Sequence, residues 1–163
     1  MEINLRNAQA GDLIRINEIY NDYVLGSTCT FQIDPETMAS RNQWFADRSE
    51  KYPVIVAEEH NTLLGWGAIS RFKERAAYAY TGEISVYVDS RTLHQGIGEQ
   101  LLRHLLGRAN GSGFHSLISI IAADQTPSIR LHEKLGFSVV ARLKEVGYKF
   151  NQWLDVIYMQ YGL

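Results

Sequence analysis

The chain has 163 residues, 45% of them hydrophobic and 21% charged, which is the size and composition of one ordinary globular domain with one core. Sixteen Lys and Arg against 18 Asp and Glu give a formal charge of −2, which argues against a nucleic-acid surface built on net positive charge. The single Cys29 excludes an intrachain disulfide, and there is neither a basic-then-apolar leader nor an apolar run of about 18 residues, so a cytoplasmic protein without a membrane partner is expected.

Ile3 to Arg6 alternates apolar and polar residues, which predicts a short strand. From Asp12, apolar residues at 13, 16, 19, 20, 23 and 24 predict a helix, followed by a loop over 26–34. Asp34-Pro35-Glu36 offers an N-cap, a proline at the first helical position and an acid in the first turn, so a second helix is expected from there to near Ser49. PVIVAE (53–58) and LLGWGAISRF (63–72) predict strands joined by a turn at His60-Asn61, and TGEISVYV (81–88) a third. A helix follows over 96–109, then a buried-type strand over 116–122. Thr126-Pro127-Ser128 opens a last helix that Gly136 ends, and two strands close the chain over about 138–146 and 153–161. The order β-α-α-β-β-β-α-β-α-β-β implies a mixed α/β sheet with a local parallel pairing across residues 81–122, and not a doubly wound one.

In VYVDSRTLHQGIGEQLLRHLL (86–106) a strand ends, a loop follows, and Gly96-Ile97-Gly98 runs into an amphipathic helix. Glycines let backbone N–H groups approach a ligand, and the helix start adds free N–H groups and a positive dipole end, an arrangement suited to a pyrophosphate. A tight turn without a ligand fits the glycines alone equally well. Leu101 stands where a dinucleotide-binding fingerprint needs its third glycine, and no Gly-Lys-Ser/Thr triplet marks a P-loop.

Glu83 shares a strand face with Ser85 and Tyr87, opposite Ile84, Val86 and Val88. It is either a solvent-facing sheet residue or a general base. His132 is a helix-surface histidine, since Leu131 and Leu135 define the buried stripe, or a proton-transfer group. Lys73, Arg75 and Tyr78 form a solvated loop, or a receptor for a carboxylate and a second oxyanion or sulfone-like group. The histidines at 60, 94, 104, 115 and 132 lack metal-ligand spacing, so no metal is expected. Cys29 has no partner that marks a nucleophile.

The strand–loop–GxG–helix, followed about thirty residues later by TPSIRLHEKLGF (126–137), resembles the paired coenzyme A motifs of GNAT N-acetyltransferases. More closely, TGEISVYV, GIG, PSIRLHEKLGF and the tail GYKFNQWLDV (147–156) resemble the phosphinothricin and methionine sulfoximine/sulfone acetyltransferases of that superfamily, over nearly the whole chain. The resemblance implies a GNAT-type domain over 1–163, with a mixed, mostly antiparallel sheet flanked by helices and a local parallel β-α-β at the cofactor site. It implies acetyl-CoA as co-substrate, and direct transfer of acetyl to the α-amino group of a small anionic amino acid.

Carried over residue by residue, the resemblance makes Glu83 the general base, acting through a water. Backbone at Val86, Tyr87 and Val88 pairs with the pantetheine arm and polarises the thioester carbonyl. His94, Gln95, Gly96, Ile97, Gly98 and Glu99 surround the pyrophosphate, with Gln125 and Ser128 as further cofactor contacts. His132 occupies the place of a tyrosine acid in many members and of a histidine in this branch. Phe31, Lys73, Arg75 and Tyr78 line the substrate pocket, and a homodimer is implied.

The chain departs from the superfamily pattern at Leu93, His94 and Gln125. The cradle is therefore expected to rely on backbone amides, with His94 and Arg91 adding side-chain contacts. Two other readings stay open: acetylation of a protein N-terminus or another amine, and a catalytically silent coenzyme A-binding module.

Overall fold

The computed structural model describes residues 2–163. In chain order the elements are β1 (Asn4–Asn7), α1 (Leu13–Gly26), α2 (Met38–Ala46), β2 (Val54–Glu59), β3 (Thr62–Arg71), β4 (Thr81–Val88), α3 (Ile97–Ala109), β5 (Ser116–Ala122), α4 (Thr126–Lys134), β6 (Ser138–Lys149) and β7 (Gln152–Gly162). The expected order of strands and helices holds. His60 and Asn61, at φ 48° and 62°, make the tight β2–β3 hairpin; Phe150 and Asn151, at 53° and 58°, do the same between β6 and β7.

The second helix starts later than the Asp34-Pro35-Glu36 signal implies. Asn21 Oδ1 accepts from the Glu36 N–H at 2.7 Å, and Asn17 and Asn21 amides donate to the Glu36 carbonyl at 2.8 and 3.1 Å. That backbone is therefore tied to α1 and cannot start a helix. Thr37 caps α2 instead, its Oγ1 accepting from the Ser40 N–H at 3.1 Å. The helix ends at Ala46 and not near Ser49.

All seven strands form one sheet in the order β1-β2-β3-β4-β5-β7-β6, in which β4–β5 is the parallel pair. On one face Ile55, Ile69 and Ile84 pack against Ile97, Leu101, Leu102 and Leu105 of α3. On the other, Val54, Val56, Trp66 and Ala68 pack against Leu13, Ile16 and Ile19 of α1. Both helices bury one stripe at helical spacing, and each fully buried Leu or Ile contributes about 1.5–3 kcal/mol.

The β4–β5 ladder holds for three pairs, Thr81↔Ser116, Gly82↔Leu117 and Glu83↔Ile118. Beyond Glu83, β4 stays paired to β3 and β5 to β7. The Asp89 N–H donates to the Leu64 carbonyl at 2.8 Å. Pairing parity then aims the amides of Glu83, Ser85 and Tyr87 at β3, and those of Ile84, Val86 and Val88 toward the β5 side.

Candidate active site

Where β4 and β5 part, a cavity of about 510 Å³ runs along β4 to the start of α3, with the start of α4 as its other wall. Val86, Tyr87 and Val88 line it along the strand, and His94, Gly96, Ile97, Gly98 and Glu99 at the helix mouth. Gln125 and Ser128 line it from α4. Gln95, expected among them, is exposed and does not line the cavity.

The helix mouth is built by backbone conformation. Gly96 sits at φ +78°, and a Cβ there would project into open space. The Gln100 N–H to Gly96 carbonyl bond, 3.1 Å, is the first of α3, so the N–H groups of Ile97, Gly98 and Glu99 precede the helical ladder and suit an anion. His94 is also left-handed, at φ 62°, which is uncommon for a residue with a side chain. Arg91 does not serve this mouth. Its Nε and Nη2 donate to Asp89 at 3.0 and 2.7 Å, and it is not part of the lining. Asp89 also pairs with Arg15. Glu99 is engaged by Arg103 at 2.9 Å and Lys134 at 2.6 Å.

Glu83 stands at the last rung of the parallel ladder, half-buried, and lines the cavity. Burial pushes its carboxyl above the ordinary range, and the nearby Lys73 ammonium pulls the other way. Its cross-strand partner is Ser70, and Ala68 and Trp66 follow on the same face. Glu83 thus belongs to the side covered by α1 and α2.

His132 is not on the helix surface. It is 2% exposed and lies on the opposite sheet side, against β5. Its Nδ1–H donates to the Ser128 carbonyl at 2.7 Å, and Nε2 lies 3.0 Å from Ser119 Oγ. A carbonyl only accepts, so Nδ1 carries a proton. Burial holds the imidazole below its ordinary pKa, so the ring is neutral and Nε2 accepts from the Ser119 hydroxyl. Ser119 and His132 both line the cavity, so it is approached by Glu83 from one face of the sheet and by His132 from the other.

Residues 5–158 match the acetyltransferase (GNAT) domain family. The chain belongs to that family.

This GNAT acetyltransferase is 35% identical to the L-methionine sulfoximine/L-methionine sulfone acetyltransferase of Pseudomonas aeruginosa, over 100% of this chain and 96% of that protein. It is 35% identical to the phosphinothricin N-acetyltransferase of Streptomyces viridochromogenes, over 97% of this chain and 86% of that one. A GNAT-superfamily phosphinothricin acetyltransferase from Sinorhizobium meliloti, solved in complex with acetyl-CoA, superposes with a TM-score of 0.96 at 36% identity. That match covers 100% of this chain and 89% of the other. The mixed, mostly antiparallel sheet with one parallel pair is the GNAT fold that the sequence resemblance implies.

The four residues expected around a substrate lie outside the main cavity of this GNAT chain. Lys73 and Arg75 are exposed, and Tyr78 packs edge-on against Phe72 with centroids 5.7 Å apart. Phe31 is 36% exposed and its ring lies on the backbone of Gly147, where a Cβ would come within 2.2 Å of Cε2. The buried Lys149 ammonium holds this loop by donating to the carbonyls of Ser27 and Thr30 at 2.7 and 2.8 Å. Gln125 holds it too, donating to Thr28 Oγ1 at 2.8 Å and accepting from Cys29 Sγ at 3.0 Å.

Several lining residues are not singled out by a reading of the sequence, and three of them carry polar groups into the cavity wall. Tyr23 donates its hydroxyl to the Val88 carbonyl, and burial pushes its phenol up to about 12. Cys29 and Ser119 also face the cavity. The one signal for Ser119 is a hydroxyl inside the apolar run SLISIIA. Among the described residues, no group of three or more His, Cys, Asp or Glu could hold a metal ion, and no helix is long and apolar enough to cross a membrane.

Proposed function

We propose that this chain is an acetyl-CoA-dependent N-acetyltransferase acting on the α-amino group of a small anionic amino acid of the phosphinothricin, methionine sulfoximine or methionine sulfone class. The observation that carries the reading is the position of Glu83, a half-buried carboxylate at one end of a cavity whose other end is the N-terminus of α3.

Acetyl-CoA supplies an activated acetyl thioester. In this reading the N–H groups of Ile97, Gly98 and Glu99, beside Gly96, hold the pyrophosphate, with His94 alongside. The free amide edge at Val86 and Val88 receives the pantetheine arm as an added strand, and an N–H there polarises the thioester carbonyl. Glu83 takes a proton from the acceptor ammonium through a water, and its raised pKa suits it to the task. The amine then attacks the carbonyl carbon, the nitrogen gives up its second proton as the C–S bond breaks, and the departing sulfur takes up one proton in exchange. Ser119 and His132 both line the cavity, and we assign this hydrogen-bonded pair to relaying that proton to the sulfur, the serine hydroxyl giving one proton and regaining one.

The acceptor class rests on the names of the two relatives and on Lys73, whose ammonium acts on the Glu83 carboxyl; Arg75, Tyr78 and Phe31 join it as the family resemblance implies. The exposed Val139, Val140, Val146, Tyr148 and Trp153 on the edge hairpin β6–β7 support a homodimer.

The test is free-thiol release from acetyl-CoA across a panel of phosphinothricin, methionine sulfoximine, methionine sulfone, plain amino acids, polyamines and peptides. Turnover confined to the first three supports the proposal. Turnover on peptides or polyamines alone discards the acceptor class, and binding of acetyl-CoA without turnover on any amine discards the enzyme reading.

A further inference from the structure

Between Gly26 and Met38 the chain forms neither helix nor strand, so polar side chains hold it in place. Besides Lys149, a chain of hydrogen bonds ties this loop to the turn between β5 and α4, 96 residues further on. Thr28 donates its hydroxyl to the Asp124 carboxylate, with both oxygens at 2.8 Å. Gln125 Nε2 donates to Thr28 Oγ1 at 2.8 Å, and Gln125 Oε1 accepts from Cys29 Sγ at 3.0 Å. A hydroxyl has one hydrogen, so with that hydrogen on a carboxylate Thr28 can only accept from Gln125. The amide is thereby fixed, its nitrogen facing Thr28 and its oxygen facing the thiol.

Thr28 is 6% exposed, so water does not readily replace a lost partner, and a bond to a carboxylate is stronger than one between neutral groups. Cys29 and Gln125 line the cofactor cavity, whereas Thr28 and Asp124 do not. Gln125 also stands at the start of α4, the helix that carries Ser128 and His132. Phe31 follows Cys29 by two residues, with its ring on the backbone of Gly147. The bonds of Thr28 thus run from the start of α4, along the wall of the cofactor cavity, to the segment that carries Phe31. Without them the loop keeps the attachment of Ser27 and Thr30 to Lys149 and loses the one that sets its distance from the cofactor.

We infer that Thr28 is a positioning residue for the acceptor: through Gln125 and Asp124 it clamps the loop carrying Phe31 to the wall of the cofactor cavity. The inference rests on the amino-acid acceptor proposed above, since Phe31 meets the acceptor in that reading. Acetyl-CoA has its own holds there, at the mouth of α3 and along β4, so loosening the clamp falls on the acceptor.

The test compares wild type with Thr28→Val, which keeps a branched side chain and removes the hydroxyl, and with Thr28→Ser, which keeps the hydroxyl. Thr28→Val is expected to raise KM for methionine sulfone about five- to thirtyfold while KM for acetyl-CoA stays within about twofold, and Thr28→Ser to stay within about threefold of wild type on both. Equal shifts for the two substrates, no shift, or a loss in Thr28→Ser as large as in Thr28→Val overturn the assignment. Asp124 is exposed, so Asp124→Ala opens the same clamp from the surface and decides the matter if Thr28→Val does not fold. Its KM for methionine sulfone should rise about three- to tenfold, and an unmoved value overturns the assignment. Cys29, the single cysteine of the chain, gives a readout without turnover. Its alkylation by iodoacetamide should speed up about five- to tenfold in Thr28→Val and Asp124→Ala, because its partner Gln125 is no longer held. An unchanged rate overturns the clamp. If the wild type acetylates no amino acid, faster alkylation upholds the clamp while its role in acceptor binding falls with the acceptor reading.

Discussion

His132 Nε2 and Ser119 Oγ are 3.0 Å apart at the cavity wall. The Ser128 carbonyl accepts from Nδ1–H at 2.7 Å, which puts a proton on Nδ1, and burial holds the imidazole below its ordinary pKa; in the neutral ring Nε2 then accepts from the serine hydroxyl. The pair joins α4 to β5 and sets which protons this corner of the site can move.

Replacing Ser119 by Ala therefore leaves a buried acceptor unsatisfied. We expect a loss of about 1–3 kcal/mol in urea unfolding, with the fold retained. A Ser119→Ala chain as stable as wild type would show that Nε2 has another donor.

The same burial makes stability depend on pH through His132. Its folded pKa is depressed below the ordinary 6.5, so the unfolded chain binds more protons in that window. The contribution is complete above about pH 6.5 and is lost as pH falls toward the folded value. His132→Gln should flatten this part of the curve in denaturation series between about pH 5 and 7.5, and an unchanged curve contradicts the assignment.

Glu83 shifts in the other direction. A base must be ionised, so kcat/KM should fall as pH drops through a pKa above the usual 4.5 of a glutamate. Lys73→Met removes the charge that lowers it and should move this acid limb upward. Glu83→Gln should keep acetyl-CoA binding and lower turnover by about 10²–10⁴. Unchanged turnover in Glu83→Gln would exclude Glu83 as the base.

Two glycines at the mouth of α3 should respond with opposite signs. Gly98→Ala meets Leu131 and Val88 only at 3.6 Å, and alanine favours helix by up to about 1 kcal/mol, so the melting temperature should hold or rise. The added methyl points into the proposed pyrophosphate cradle, and KM for acetyl-CoA should rise about tenfold. Gly96→Ala forces a side chain to φ +78° and should destabilise the fold by about 1–2 kcal/mol. Calorimetry and steady-state kinetics on the two variants check both signs.

Much of this was legible in the sequence because it depends on local pattern. The stripe of α3, the turn at His60-Asn61 and the GxG mouth come from residues a few positions apart. The start of α2 was not, since the side chains that hold the Glu36 backbone come from α1. Thr28 and Ser119 carry little signal by themselves. Their meaning depends on Gln125 and His132, which only the packing of separate elements brings close. Arg91 is a different kind of miss, because Asp89, which occupies it, lies two residues away and could have been weighed.

The Lys149 ammonium that gathers the carbonyls of Ser27 and Thr30 ties the wall carrying Phe31 to the hairpin of β6 and β7. That wall is made from segments about 120 residues apart in the chain. During synthesis on the ribosome, this wall cannot assemble until residues beyond 149 have emerged, long after α3 has its sequence complete.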